Sequence, residues 1–320
     1  MKFSSIIDFF RKKRDCKLLP HISQPIHGLR SNSFQLYPWA IKILEVENAW
    51  KYSYGNNVIV AVIDTGCDKY HEDISANLID GYNFVENNKD TSDHNGHGTH
   101  VAGTIAALNN MLGVVGVSPQ TKIMPIKALD DSGMGSNEWV ANAIIYAADN
   151  GADILTMSLG SEYPSIKLHK AIKYAIKKNV AIFCAAGNSG IYKDINYPAK
   201  YPETMSIGAI DRNLDICEFS CSGDMLDFLA PGQDIVSCAP NNSYTSMSGT
   251  SMATPFAVGC ASLFLSYRRK VSGNPQLRLS KEEYIEHFKK FSLKLKNKKY
   301  NGIKKYEANG IIVPVLEDKS

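Results

Sequence analysis

Four short apolar runs, separated by stretches of helical period, constrain this chain more than any other feature. They are 57–63 (NVIVAVI), 122–127 (KIMPIK), 152–158 (ADILTMS) and 180–186 (VAIFCAA). Each has the length of a strand, and a strand that is apolar at nearly every position is buried on both faces. Between the runs, residues 97–108 are small and apolar. Residues 137–149 repeat apolar residues at helical spacing behind a Ser136 cap. Residues 164–178 begin with Pro164 in a first-turn position and end in a lysine-rich turn. One more strongly apolar helix is read over 250–268. This alternation predicts βαβ units around a buried parallel sheet, an α/β fold. In such sheets the site lies at the carboxyl ends of the strands. Asp64, Ser158-Leu159-Gly160 and Gly187-Asn188 stand at three of those ends.

With 320 residues, one large domain with short appendages is expected. No run approaches the ~20 apolar residues of a membrane helix, so the chain is not expected to be integral to a membrane. The net charge of +3 hides an asymmetry. Residues 21–265 carry 15 bases and 24 acids, whereas residues 266–305 carry 13 bases and three acids. An acidic body argues against a nucleic-acid partner, and the basic segment reads as a solvated helical face. The seven cysteines are odd in number, and several sit inside apolar patterns, which fits a reducing compartment better than a disulfide framework. Cys217 and Cys221 have a metal-like spacing, but no second pair completes a zinc site. In MKFSSIIDFF the basic cluster follows the apolar stretch, the reverse of a secretory signal. That segment reads as a short amphipathic helix and the protein as cytoplasmic.

A serine nucleophile needs a base, the base needs an anion to hold it, and the oxyanion needs donors. Ser251, in SGTSMATP, opens the apolar helix; by itself it reads equally as a helix cap. His97, in HNGHGTHVAG, is flanked by glycines, and His94, His97 and His100 recur every third residue. A zinc site would want HExxH or a carboxylate inside the stretch, and neither is there. Asp64 ends an apolar strand, a costly place for a lone carboxylate unless it holds a partner; its other reading is a turn cap. Asn188, in AAGNSG, either donates to an oxyanion or makes a turn.

Together these segments resemble the subtilisin-like serine proteases, peptidase family S8. VIDTG, HGTHVAGT, AAGN and GTSMATP occur in order over roughly residues 34–290. The resemblance implies a three-layer subtilisin-like fold with a mostly parallel central sheet flanked by helices. It implies Asp64 orienting His97 as general base, Ser251 as nucleophile, and Asn188 with the Ser251 amide as oxyanion donors. Ser132-Gly133-Met134-Gly135 and Ser158-Leu159-Gly160 resemble the two strands between which a peptide substrate is clamped. Ca²⁺ is implied by a loop like the family's, with the carbonyls of Leu108, Leu112 and Val114, the Asn110 side chain, and Asp73 and Gln35 as ligands.

Cys67 after DTG and the short N-terminus resemble the intracellular branch, for which a homodimer is implied. Lys17-Leu18-Leu19-Pro20-His21 sits where that branch carries a Leu-Ile-Pro-Tyr-type inhibitory motif, with His21 in place of the aromatic. Residues 1–33 are then an inhibitory extension, 34–290 the catalytic domain and 291–320 a basic tail. The expected activity is intracellular endopeptidase cleavage through an acyl-enzyme. A processing peptidase that removes a leader from one precursor uses the same residues. A metal-dependent hydrolase and an inactive binding module are the readings from other classes.

Overall fold

The computed structural model describes residues 15–26 and 35–317; the helix read at MKFSSIIDFF lies outside them. Chain order gives thirteen strands among the described residues. They are β1 (Cys16–Leu18), β2 (Ile22–Pro25), β3 (Ile59–Asp64), β4 (Tyr82–Asn83), β5 (Lys122–Lys127), β6 (Met134–Gly135) and β7 (Ile154–Met157). They continue with β8 (Leu159–Gly160), β9 (Ala181–Ala185), β10 (Met205–Ile210), β11 (Phe228–Pro231), β12 (Ile235–Ala239) and β13 (Ser243–Ser248). The longer helices are α1 (His97–Ala106), α2 (Asn137–Asp149), α3 (Ile166–Lys177), α4 (Thr250–Ser272) and α5 (Lys281–Phe291).

Seven strands form one parallel sheet in the order β11-β10-β9-β7-β3-β5-β4. The pleat explains why the runs are continuously apolar. In β3, Val60 and Val62 pack with Val101 and Ile105 of α1 and Val258 of α4, while Ala61 and Ile63 pack with Ile144 of α2 and Ile172 of α3. Alternate side chains therefore serve two cores, one on each face, and the expected three layers result. The strand order reverses between β3 and β7, and the crevice beyond their carboxyl ends is where such sheets bind ligands.

The helix limits follow from local chemistry. Ser165, not Pro164, starts α3: its hydroxyl accepts from the Leu168 amide, so Pro164 falls one residue outside the cap. The run read over 97–108 ends earlier, where Ala107 turns to an extended ψ of 137°. Residue Pro255 lies inside α4 and cannot donate to the Ser251 carbonyl one turn back; the Ser158 hydroxyl donates there instead, at 3.0 Å.

Beyond the large sheet, β12 and β13 form an antiparallel hairpin with β2 on its outer edge, and β1 lies between β6 and β8. Helix α5 starts with a capping box of Ser280 and Glu283. The chain after it packs: Leu295, Ile311 and Ile312 are buried, and Ile311 bridges to Leu229 of β11 and to Leu293. Lys289, Lys294, Lys296 and Lys298 face solvent. No helix among the described residues is long and apolar enough to cross a membrane.

Candidate active site

Strand β3 delivers Asp64 to the crevice fully buried, and α1 delivers His97 beside it. Asp64 Oδ1 lies 2.8 Å from His97 Nδ1 and also accepts from the Thr65 amide. This leaves His97 Nε2, buried and with no hydrogen-bond partner among the described residues, as the ring nitrogen open to chemistry. Sequence reasoning missed what holds the head of α1. Asp93 Oδ2 accepts from the amide and hydroxyl of Thr99, while its Oδ1 accepts from the Thr65 hydroxyl and the Gly96 amide. An acid just upstream of a helix head was the available signal.

Ser251 is the second residue of α4 and is buried. The cap reading fails, because its hydroxyl donates to the Ser158 carbonyl at 3.2 Å rather than accepting from a helix amide. With the Ser158 hydroxyl on the Ser251 carbonyl, the two serines brace each other across the crevice. The Ser251 amide is in the first turn, where a helix offers no internal acceptor.

Asn188 is more than a turn residue. Its Oδ1 accepts from the amide and the hydroxyl of Thr250, both at 2.8 Å, which turns its Nδ2 outward. That nitrogen donates to the Pro20 carbonyl at 2.6 Å. Gly249 makes this approach feasible: a Cβ there would stand 3.0 Å from Asn188 Nδ2.

The crevice holds the chain's own residues 16–25. Cys16 pairs with Gly135 and Lys17 with Met134 on one side; Lys17 pairs with Gly160 and Leu18 with Leu159 on the other. The Leu18 amide donates to the Gly133 carbonyl at 2.9 Å. Leu19 is buried against Gly160, where a Cβ would come within 2.8 Å of Leu19 Cδ2. His21 Nδ1 lies 3.3 Å from the Leu19 carbonyl, and its ring centroid is 5.1 Å from that of His97. Burial, with the neighbouring His97 ring, holds the His21 imidazole below the ordinary histidine value. The segment is therefore held through Gly133, Met134, Gly135, Leu159 and Gly160, while Ser158 pairs with Ser251 instead and Ser132 stands in the turn before β6, bonded to Asp130.

The residues expected around Ca²⁺ also converge. The Gln35 Nε2 donates to the carbonyls of Leu108 at 2.6 Å and Val114 at 2.9 Å and lies 3.5 Å from Asn110 Oδ1. Leu112 enters through its amide, which donates to Asn110 Oδ1. Buried Asp73 accepts from Val114 N, Tyr244 OH and Asn110 Nδ2, and burial pushes its carboxyl up. Carbonyl and amide oxygens around one carboxylate suit a hard cation such as Ca²⁺, and turning the Gln35 amide end for end would add its oxygen to the set.

No three His, Cys, Asp or Glu side chains come together as a metal cluster among the described residues. His94 is exposed, while His100 bonds the Ile235 carbonyl and is held by burial down to about 3. All seven cysteines are free and buried; Cys217 meets Gln233 rather than a metal partner.

An imidazole with one nitrogen pinned by a buried carboxylate, on a helix packed against the one that a serine heads, belongs to the class of serine peptidases. Known proteins point the same way. The model of the subtilase family, Peptidase S8, matches residues 55–290. An intracellular serine protease of Paenibacillus polymyxa is 42% identical over 234 residues, 71% of this chain and 72% of its own. The major intracellular serine protease of Bacillus subtilis is 40% identical over 256 residues, 77% and 79% of the two chains. Thermitase of Thermoactinomyces vulgaris is 39% identical over 230 residues, 72% and 82%. The chain belongs to the subtilase family, and it is a subtilisin-type serine endopeptidase acting on protein or peptide substrates.

Proposed function

We propose that the chain is an intracellular endopeptidase that works through Asp64, His97 and Ser251, held latent by its own N-terminal extension. The observation that carries this reading is the Asn188 Nδ2 donating to a peptide carbonyl, that of Pro20, at the head of the helix bearing Ser251. In turnover His97 Nε2 takes the Ser251 proton as the hydroxyl oxygen adds to the scissile carbonyl, and Asp64 holds the ring and offsets its charge. Asn188 Nδ2 and the Ser251 amide meet the oxyanion. Collapse expels the amine, protonated by His97, and leaves an acyl-enzyme that water hydrolyses by the same steps. A fluorophosphonate probe should label Ser251 alone and stop casein hydrolysis in proportion; labelling elsewhere, with activity retained, would overturn the assignment. Seven free cysteines, and two relatives that are intracellular serine proteases, support an intracellular setting.

The domain limits proposed are an extension over 1–33, a catalytic domain over 34–290 and a C-terminal segment over 291–320. The extension lies in the substrate strands like a peptide but one residue out of step. Its Leu18 amide and Leu19 side chain are seated, so the Leu19 carbonyl is the one a nucleophile would need. Asn188 instead holds the carbonyl of Pro20, whose fixed φ and missing N–H keep the strand from straightening. Meanwhile the Ser251 proton points to Ser158. Pro20→Ala should let the segment settle in register and be cut, shortening the lag before full activity; an unchanged lag and final rate would remove the inhibitory role.

Calcium is proposed for Gln35, Asp73, Asn110 and the carbonyls of Leu108, Leu112 and Val114. An ion that binds only the folded state adds about 2.7 kcal/mol at 100 times its Kd. EDTA should therefore lower the melting temperature of the parent. Asp73→Asn, which removes the charge and keeps the shape, should lose that response. A parent melting curve indifferent to EDTA would exclude the site.

A further inference from the structure

Asp64 and His97 come from different elements, and their 2.8 Å contact lasts only while the end of β3 and the head of α1 keep their places. One buried carboxylate ties both down. Asp93 lies in neither element and is 5% exposed, yet five donors point at its two oxygens. Its Oδ1 accepts from the Thr65 hydroxyl at 2.9 Å and from the amides of Asn95 and Gly96 at 3.0 and 2.9 Å. Its Oδ2 accepts from the amide and hydroxyl of Thr99 at 2.9 and 2.6 Å. Thr65 passes this hold to both members of the pair. Its amide donates to Asp64 Oδ1, and its hydroxyl accepts from the amide of Gly98, next to His97, at 3.0 Å. Its carbonyl accepts from Lys127 Nζ at 2.7 Å. A Cβ on Gly98 would stand 2.1 Å from the Gly66 carbonyl oxygen, so the turn after β3 and the helix head are in backbone contact.

We infer that Asp93 is a positioning residue of the peptidase reaction, which sets the geometry of Asp64 and His97 through Thr65 and Thr99 without touching substrate. The inference rests on Asp64 and His97 acting as proposed above. The donor set demands a carboxylate, which accepts on both oxygens. An asparagine would turn its amide hydrogens towards Asn95 and Gly96 in one orientation and towards Thr99 in the other. Backbone amides stand on both sides, and they can only donate, so neither orientation satisfies the set. A base that takes a proton along one direction loses rate steeply when it is held loosely. A displacement of about 1 Å, caused far from the chemistry, costs about 10²-fold. The peptide-like segment in the crevice is held elsewhere, by Gly133, Gly135, Gly160 and Asn188. Loss of Asp93 should therefore fall on kcat and leave KM near that of the parent.

The test compares Asp93→Asn with the parent, each as the full chain and on one peptide substrate. The rate is counted per Ser251 that a fluorophosphonate titrates to completion, so misfolded and still latent molecules drop out. Counted this way, kcat should fall between about 10-fold and 100-fold with KM changed less than about threefold. A second reading comes from the Ser251→Ala background, where no turnover intervenes. There the downfield proton resonance of the Asp64–His97 hydrogen bond should be displaced or lost in Asp93→Asn. If Asp93→Asn fails to fold, Thr65 carries the test. Thr65→Val keeps shape and loses only the hydroxyl, so it should lower kcat per titrated site, whereas Thr65→Ser keeps the hydroxyl and should stay near the parent. Three results would overturn the inference: fewer titratable sites with kcat per site unchanged, which is a role in folding alone; a rise in KM at constant kcat; or a resonance that does not move. Equal rates for Thr65→Val and Thr65→Ser would overturn it as well. A parent that the fluorophosphonate does not label at Ser251 would instead strike the proposed function, and this inference with it.

Discussion

Ser251→Ala should fold, keep its extension uncut and lose peptidase activity by about six orders of magnitude. That figure is the loss known for subtilisin, a member of the same family, when its serine or histidine is removed. It corresponds to about 8 kcal/mol of transition-state stabilisation. The stability cost should be small. The hydroxyl makes one described bond, to the Ser158 carbonyl, and Ala is tolerated at a helix start. The reverse bond, from the Ser158 hydroxyl to the Ser251 carbonyl, does not involve the deleted oxygen and still satisfies the acceptor that Pro255 leaves open. Melting should therefore shift by no more than a net hydrogen bond of about 1 kcal/mol allows. Two measurements decide it: turnover of an unfolded protein by a pure sample, and the mass of that sample after long incubation. Near-parental turnover would refute the serine mechanism. A shortened mass in a sample free of other proteases would show that the extension is cut by something other than Ser251.

The central sheet was legible because both of its faces are covered. Runs such as NVIVAVI need no partner to be recognised, and the pleat sends Val60 and Ile63 to different cores. The residues proposed for catalysis stood out for a related reason: they lie in stretches whose small neighbours serve the same local turn, as Gly249 does beside Asn188. What the sequence concealed is structure made by pairing. Cys16–Leu18 and Ile22–Pro25 are too short to show a period, and they are strands because β6, β8 and β13 offer them edges. Asp93 was missed since its partners, Thr65 and Thr99, are brought to it by β3 and α1. The C-terminal lysines drew attention to solvent, while Leu295, Ile311 and Ile312 between and beyond them were too irregularly spaced to announce a packed segment. Pro255 went unremarked in the run read as a helix over 250–268; the donor it lacks is supplied by a hydroxyl from a residue nearly a hundred positions away.

Asn188→Leu should lower kcat about 10²–10³-fold with little change in KM, because the lost donor acts chiefly when the carbonyl becomes an oxyanion; the magnitude is again the one known for subtilisin. The structure adds a complication that a single variant would hide. Asn188 also accepts from the Thr250 amide and hydroxyl, so Leu removes an acceptor from the head of α4 as well as a donor from the crevice. Asn188→Asp separates the two effects. It keeps an oxygen for Thr250 and replaces the donor by a second oxygen, which repels the developing charge. If donation to the oxyanion is what matters, Asp should be at least as damaging to kcat as Leu while melting closer to the parent. If Asn188 matters only by fixing α4, Asp should retain most of the activity. The latent form gives a second readout. Asn188 Nδ2 holds the Pro20 carbonyl, so both variants should loosen the extension and increase hydrogen exchange at the Leu18 amide. Measured in a Ser251→Ala background, where no cleavage intervenes, unchanged exchange would mean that the strands at Gly133 and Gly160 hold the extension without help from the oxyanion donor.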